Sequence, residues 1–178
     1  MSNMQVASKI IISVFIAGFI QFSAFANQHL LSSEQFIEQA FSGNTSTKKV
    51  LWLNKEDKVT IADIMNHSFN LLRVRYWQYQ QETVWILNEI GKEKPITVGV
   101  HIKENQIMSL KVLTFRESRG DEVKHDFFTR QFDGARLVEE NNLNQHIDGI
   151  TGATMSVRAL TKVAKLSLWL NKKALLDK

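Results

Sequence analysis

The sequence predicts an α+β fold, with a small antiparallel sheet flanked by helices. Apolar residues alternate with period two through the middle of the chain, from Leu71 to Phe115. Segments of helical spacing bracket that region, one around Phe36 to Phe41 and one from Val157 to Leu170. The extended segments are joined by short polar turns, too short for crossovers, so their strands pair antiparallel.

The first helix opens at Ser32, where Ser32 and Gln35 form an S-x-x-Q capping box. Phe36, Ile37, Ala40 and Phe41 supply its apolar face, and Gly43-Asn44 ends it. Lys48 to Leu53 reads as a short strand or extended segment, and Asn54 to Asp57 as a polar turn. Val59 to Phe69 reads as a short helix capped by Thr60, with Asp63 in its first turn, although β-branched Val59 and Ile61 also suit a strand.

From Leu71, Val74, Tyr76 and Gln78 alternate with Arg73, Arg75 and Trp77. Thr83 to Leu87 is a buried strand, and Asn88 to Pro95 is a charged turn region holding the only proline. Ile96, Val98, Val100 and Ile102 alternate with Thr97, Gly99 and His101. Lys103 to Gln106 makes a hairpin turn, and Ile107, Leu110, Val112 and Thr114 continue into the next strand, with Leu113 and Phe115 on its other face. The count is three or four strands. No repeat or low-complexity linker divides the chain.

Residues 1–26 read as a secretory signal, followed by a single domain over 27–178. Lys9 precedes an apolar run from Ile10 to Phe25, and Ala24-Phe25-Ala26 is an A-x-A cleavage pattern. Cleavage after Ala26 implies a periplasmic or otherwise extracytoplasmic protein. An uncleaved membrane anchor is the alternative, although Gly18, Gln21 and Ser23 interrupt the run. The absence of cysteine excludes disulfides, thiolate metal sites and a lipid-anchored Cys. The net charge of +4 is scattered rather than striped, which argues against a nucleic-acid partner. The five histidines show no metal-ligand spacing, and there is no G-x-S-x-G or G-x-G-x-x-G motif.

The most informative stretch is Asp148-Gly-Ile-Thr-Gly-Ala-Thr-Met-Ser156, a D-x-x-T-G-A-T-x-S sequence just before the last helical segment. A helix N-terminus offers unpaired N–H groups and positive dipole character, so it holds phosphate well. Gly152 and Ala153 permit close backbone approach, and Thr154 and Ser156 add hydroxyls. A plainer reading, a Ser/Thr-rich helix cap, accounts for one hydroxyl and one glycine but not for the whole set.

This stretch resembles the flavinylation motif of the FMN-binding domain family, which includes the flavin-carrying C subunit of the sodium-translocating NADH:quinone reductase and the G subunit of Rnf complexes. The resemblance implies FMN joined through its phosphate to Thr154 by a flavin transferase of the ApbE type. Asp148, Thr151, Gly152, Ala153 and Ser156 fill the other motif positions. The hairpin before it is also similar, with Val98-Gly99-Val100-His101-Ile102 leading through a second strand to Glu117. The family's T-P-G after this Glu is replaced here by Ser118-Arg119-Gly120.

Glu117 and Arg119 are therefore candidates for polar contact with the flavin, against the plainer reading of a solvated turn ending at Gly120-Asp121. Asp126 to Phe132, with Phe128 among them, is a candidate apolar wall for the ring, against the simpler reading of these Phe residues as core. Asp148 is a candidate to orient the motif or assist the transferase, and also fits an Asp-Gly turn. Two function classes are expected first: an exported flavoprotein electron carrier, and a binding module that keeps the fold without flavin. An FMN-dependent reductase of a small molecule is the third. The carrier's expected redox partners are cytochromes or membrane quinone- or NADH-linked complexes.

Overall fold

The computed structural model describes residues 30–176. The predicted signal over residues 1–26 lies outside the described residues.

The expected α+β architecture is present, with one five-stranded antiparallel sheet in the order β1-β2-β3-β4-β5. The elements are α1 (Ser33–Ala40), β1 (Thr47–Trp52), α2 (Lys55–Met65), β2 (Arg73–Tyr79), β3 (Glu82–Ile90), β4 (Pro95–Lys103), β5 (Gln106–Thr114), α3 (Asp126–Thr129) and α4 (Thr154–Leu176). Short 3₁₀ turns at Asp121–Lys124, Arg130–Phe132 and Glu139–Asn141 join β5 to α4 along with α3.

The predicted capping box starts α1. Gln35 N–H donates to Ser32 Oγ at 3.2 Å, and Ser32 N–H donates to Gln35 Oε1 at 2.8 Å. The second helix begins earlier than predicted. Asn54 to Asp57 is not a turn: Asn54 caps α2, and Asn54 and Asp57 exchange two backbone-to-side-chain bonds of 2.8 Å each. Asn and Asp serve a capping box as Ser and Glu do, which makes Thr60 an interior residue. Asn66, left-handed at φ 53°, ends the helix before Phe69.

The sheet has five strands rather than three or four. β3 runs past Leu87 to Ile90, so the charged turn contracts to four residues, Gly91 to Lys94. The β4–β5 turn has Glu104 and Asn105 at φ 52° and 58°, the left-handed pair of a tight hairpin. Ile102 pairs with Ile107 and His101 with Ser109, so Met108 is an extra, bulged residue. The bulge explains how Ile107 and Leu110, three apart, both face the core.

Alternation in β4 predicted one polar face, yet both its faces are buried. Ile96, Val98, Val100 and Ile102 join the main core with α2 and α4. Thr97, Gly99 and His101 lie on the opposite face, where Phe36 and Phe41 of α1 pack with Val84 and Leu113 in a smaller cluster. The sheet is thus a middle layer, with α4 and α2 on one side and α1 on the other.

A buried polar chain fixes α4 along the sheet. Trp85 Nε1 donates to Thr83 Oγ1 at 3.0 Å, Thr83 donates to Asn171 Oδ1 at 2.6 Å, and Asn171 Nδ2 donates to Asn105 Oδ1 at 2.9 Å. Nearer the start of α4, Lys162 Nζ lies 3.2 Å from the buried Glu89, which also holds His67 at 2.9 Å.

Gly99 is required by contact. A Cβ there would lie 2.6 Å from two ring carbons of Phe36. Gly99→Ala is expected to push α1 from the sheet and cost about 1–3 kcal/mol. Urea denaturation checks this, and unchanged stability would mean that α1 adjusts freely.

Candidate functional site

The end of the sheet formed by the β3–β4 turn meets the loop after β5 and the first turn of α4. A cleft of about 500 Å³ lies between them, lined by Lys92, Glu93, Glu117, Ser118, Arg119 and the segment from Gly152 to Ser156. Its size suits a single small ligand.

The first turn of α4 forms one wall. Val157 N–H donates to the Ala153 carbonyl at 3.0 Å, which makes Ala153 the N-cap residue and Thr154 the first helical residue. Ala153 has no side-chain acceptor. Among the described residues, no protein group accepts from the N–H of Thr154, Met155 or Ser156. The hydroxyl-rich motif therefore does not cap its own helix, and the plain capping reading fails. What remains is a 23-residue helix with an open N-terminus, a setting that attracts an anion. Thr154 is exposed there, while Ala153 and Ser156 are buried.

Gly152 lies at φ +85°, and nothing approaches the place of its missing Cβ within 4 Å. Its glycine is demanded by backbone conformation, not by crowding from the protein. Gly120 differs. At φ +80°, a Cβ would meet Ser156 Oγ at 2.9 Å and Ala153 at 3.3 Å. The loop after β5 is thus packed directly on the motif, a contact that sequence reading missed. Gly120, ending the segment where the family's T-P-G is replaced, was its visible trace.

Glu117 has a role that spacing did not disclose. Its Oε1 accepts from the backbone N–H groups of Lys92, Glu93 and Lys94, the last two at 2.7 and 2.9 Å. A Cβ on Gly91 would lie 2.8 Å from the same oxygen. The carboxylate organises the β3–β4 turn. The Lys94 N–H bond leads the causes that hold its pKa below the ordinary value, joined by those of Glu93 and Lys92. With Glu117 committed to N–H donors, Lys92 and Arg119 are the cations lining the cleft.

The remaining sequence candidates lie outside this lining. Asp148 and Thr151 are exposed. The Asp148 N–H donates to Gln131 Oε1 at 2.7 Å, and its carboxylate lies 3.7 Å from His146. Phe128 is wholly buried in the main core against Phe132, with ring centroids 5.8 Å apart. The core reading holds for both rings, and neither has an open face for a flavin. Within that segment the exposed ring is Phe127.

Residues 91–168 match the family model of the FMN-binding domain. The chain carries a domain of the FMN-binding family. The match begins at the turn held by Glu117, includes the whole D-x-x-T-G-A-T-x-S motif and ends within α4. No curated protein matches the chain. FMN fits the residues present, since the open helix start, Lys92 and Arg119 suit a phosphate, and the ground around Gly152 is clear for it.

The depressed pKa of Glu117 has a definite pH consequence. Its folded value lies below its unfolded value, so its contribution to turn order is complete above the ordinary carboxylate range. That contribution is lost as pH falls through the folded value. Amide NMR shifts of Lys92, Glu93 and Lys94 are expected to titrate together with a midpoint below 4.5, the ordinary glutamate value, and to lose that titration in Glu117→Gln. A midpoint at or above 4.5 would show that the turn does not depend on the carboxylate.

Proposed function

We propose that this flavin-binding protein is an exported electron carrier whose FMN is attached covalently, through its phosphate, to the Thr154 hydroxyl. One observation carries the reading: Thr154 is exposed at the first position of α4, beside backbone N–H groups that no protein atom among the described residues uses.

The chain's own groups divide the work. The N–H groups of Thr154, Met155 and Ser156 face the phosphate and offset its charge, with a stabilisation of about 0.3–1 kcal/mol from the helix dipole. Lys92 and Arg119 add cationic character from the other walls. Gly152 keeps the approach to Thr154 free of side chains. Glu117 fixes the β3–β4 turn that forms the facing wall. Asp148, exposed beside the motif, is available to a flavin transferase of the ApbE type and does not contact the proposed linkage. FMN, when bound, supplies the electron-accepting and electron-donating chemistry.

Covalent attachment suits an exported carrier, because cofactor lost outside the cytoplasm is not readily replaced. Cytochromes or membrane quinone- or NADH-linked complexes are the proposed donors and acceptors.

Intact mass and peptide mapping after coexpression with a flavin transferase test the attachment. The expected result is FMN less one water on the peptide containing Thr154. Thr154→Val should abolish this and change stability by no more than about 0.5 kcal/mol, because the site is exposed and the side chains are similar in shape. Flavin that survives denaturation on Thr154→Val would refute the assignment.

Gly152→Val is expected to impair loading for a different reason, since a β-branched residue is strained at φ +85°. Normal loading of this variant would show that the backbone conformation at Gly152 is dispensable.

A further inference from the structure

α1 covers only part of its face of the sheet. Among the described residues its main contacts run to β3, β4 and β5, while Lys48, Val50 and Trp52 of β1 and Arg73 and Arg75 of β2 stay exposed. The uncovered surface is aromatic and basic. Arg73 sits over the Trp52 ring at 5.4 Å, and Lys48 over Trp77 at 5.5 Å, with Val50 and Arg75 paired between them in register. Trp52 is 63% exposed. Leu71 and Leu72, just before β2, are 55% and 65% exposed. Glu34 of α1 is the acid bordering the groove beside Lys48 and Arg73.

This surface is continuous with the cleft. Trp52 pairs with Arg73 at the sheet end, Asn88 follows on β3 and is bonded by Thr97 at 2.6 Å, and Arg116 Nη1 donates to Thr97 Oγ1 at 3.1 Å. Glu117, the next residue, stands in the cleft wall. From β1 to β4 the distance is three strand spacings, or about 14 Å.

We propose that this uncovered face of β1 and β2 docks a protein partner whose contact surface is acidic around an apolar centre. Exposed Trp and Leu supply an apolar centre, and Arg73, Arg75 and Lys48 a basic surround, the composition of a protein interface rich in aromatic and Arg anchors. Charge complementarity selects an acidic partner and steers its approach. The proposal deepens the carrier reading, since a partner seated here lies along the same sheet end as Thr154.

The test uses the FMN-loaded chain and the flavin-free Thr154→Val chain side by side, with one acidic and one basic c-type cytochrome as probes. The acidic cytochrome is expected to shift the amide NMR signals of Thr47–Trp52 and Leu71–Trp77 in both forms. Its affinity should fall about tenfold in Arg73→Glu/Arg75→Glu, in Trp52→Ser/Leu72→Ser and on raising the salt. The basic cytochrome should leave these signals unmoved.

The proposal would be overturned by no shifts with the acidic protein, shifts confined to another surface, affinity indifferent to both double variants, or self-association through this face. Binding of these residues to vesicles of phosphatidylserine and phosphatidylcholine, in place of the acidic cytochrome, would replace the protein partner by a lipid surface and equally overturn it. Docking by the unsubstituted chain, together with its failure to take up flavin when coexpressed with the transferase, would count against the carrier reading alone. Flavin on Thr154 without docking would count against this inference alone.

Discussion

The position of α4 on the sheet is the constraint on which the site depends. Thr154 can face the cleft only if this helix is fixed both along its axis and around it. Apolar burial of residues such as Leu160, Val163, Leu166 and Leu170 supplies the attraction, but burial alone has little preference for one axial position. Directional contacts set that position. Asn171 joins Thr83 and Asn105 at the far end, Lys162 reaches the buried Glu89 midway, and Ala153 with Ser156 closes against Gly120 at the start. A one-residue slip of α4 would leave Asn171 and Glu89 buried without these partners, at a cost of about 1–3 kcal/mol for an unsatisfied group.

The same economy governs the opposite wall. The β3–β4 turn has three successive backbone N–H groups pointing inward, which would attract any anion. Glu117 occupies them with a side chain from the neighbouring loop. A carboxylate in the same cleft as an open helix N-terminus looks unfavourable for an anion at first. Its Oε1, however, is engaged by the three N–H groups of the turn. The two N–H clusters are thereby separated in function: one is satisfied by the protein, and the other is left open.

The extent to which the sequence disclosed this follows from what kind of pattern each feature leaves. Residues whose neighbours in space are neighbours in sequence were legible. The Ser32–Gln35 box, the alternation of Val74, Tyr76 and Gln78, and the Glu104-Asn105 turn all appear where periodicity and capping chemistry put them. The start of α2 was missed because Asn54–Asp57 has the composition of a turn as well as of a cap. The second buried face of β4 was hidden because Thr97, Gly99 and His101 read as a solvent face until α1 is known to lie over it. In the candidate site, a local motif pointed to the helix start where Gly152 and Thr154 line the cleft. The Glu117 contact spans 23 to 25 residues and the Gly120–Ser156 contact spans two loops, so neither leaves a local signature. Phe128 failed as a flavin wall for a related reason, since composition marks an aromatic segment without saying which ring turns inward.

The absence of a cap on α4 follows from packing. An N-cap of Ser, Thr, Asp or Asn is ordinarily worth about 0.5–2 kcal/mol over Ala. The motif places hydroxyls at Thr151, Thr154 and Ser156, on either side of the cap position and not on it. Ala153 stands at the cap, 2% exposed and packed toward Gly120, where a Cβ added to Gly120 would lie 3.3 Å from that of Ala153, so a larger polar residue at the cap would crowd the loop. Close packing on one side of Ala153 therefore produces an open helix terminus on the other. A protein that needed only a stable helix could relax the loop and accept a cap. One that must receive a phosphate has reason to retain both the small residue and the unpaired N–H groups, because a side-chain cap would compete for the donors the ligand uses.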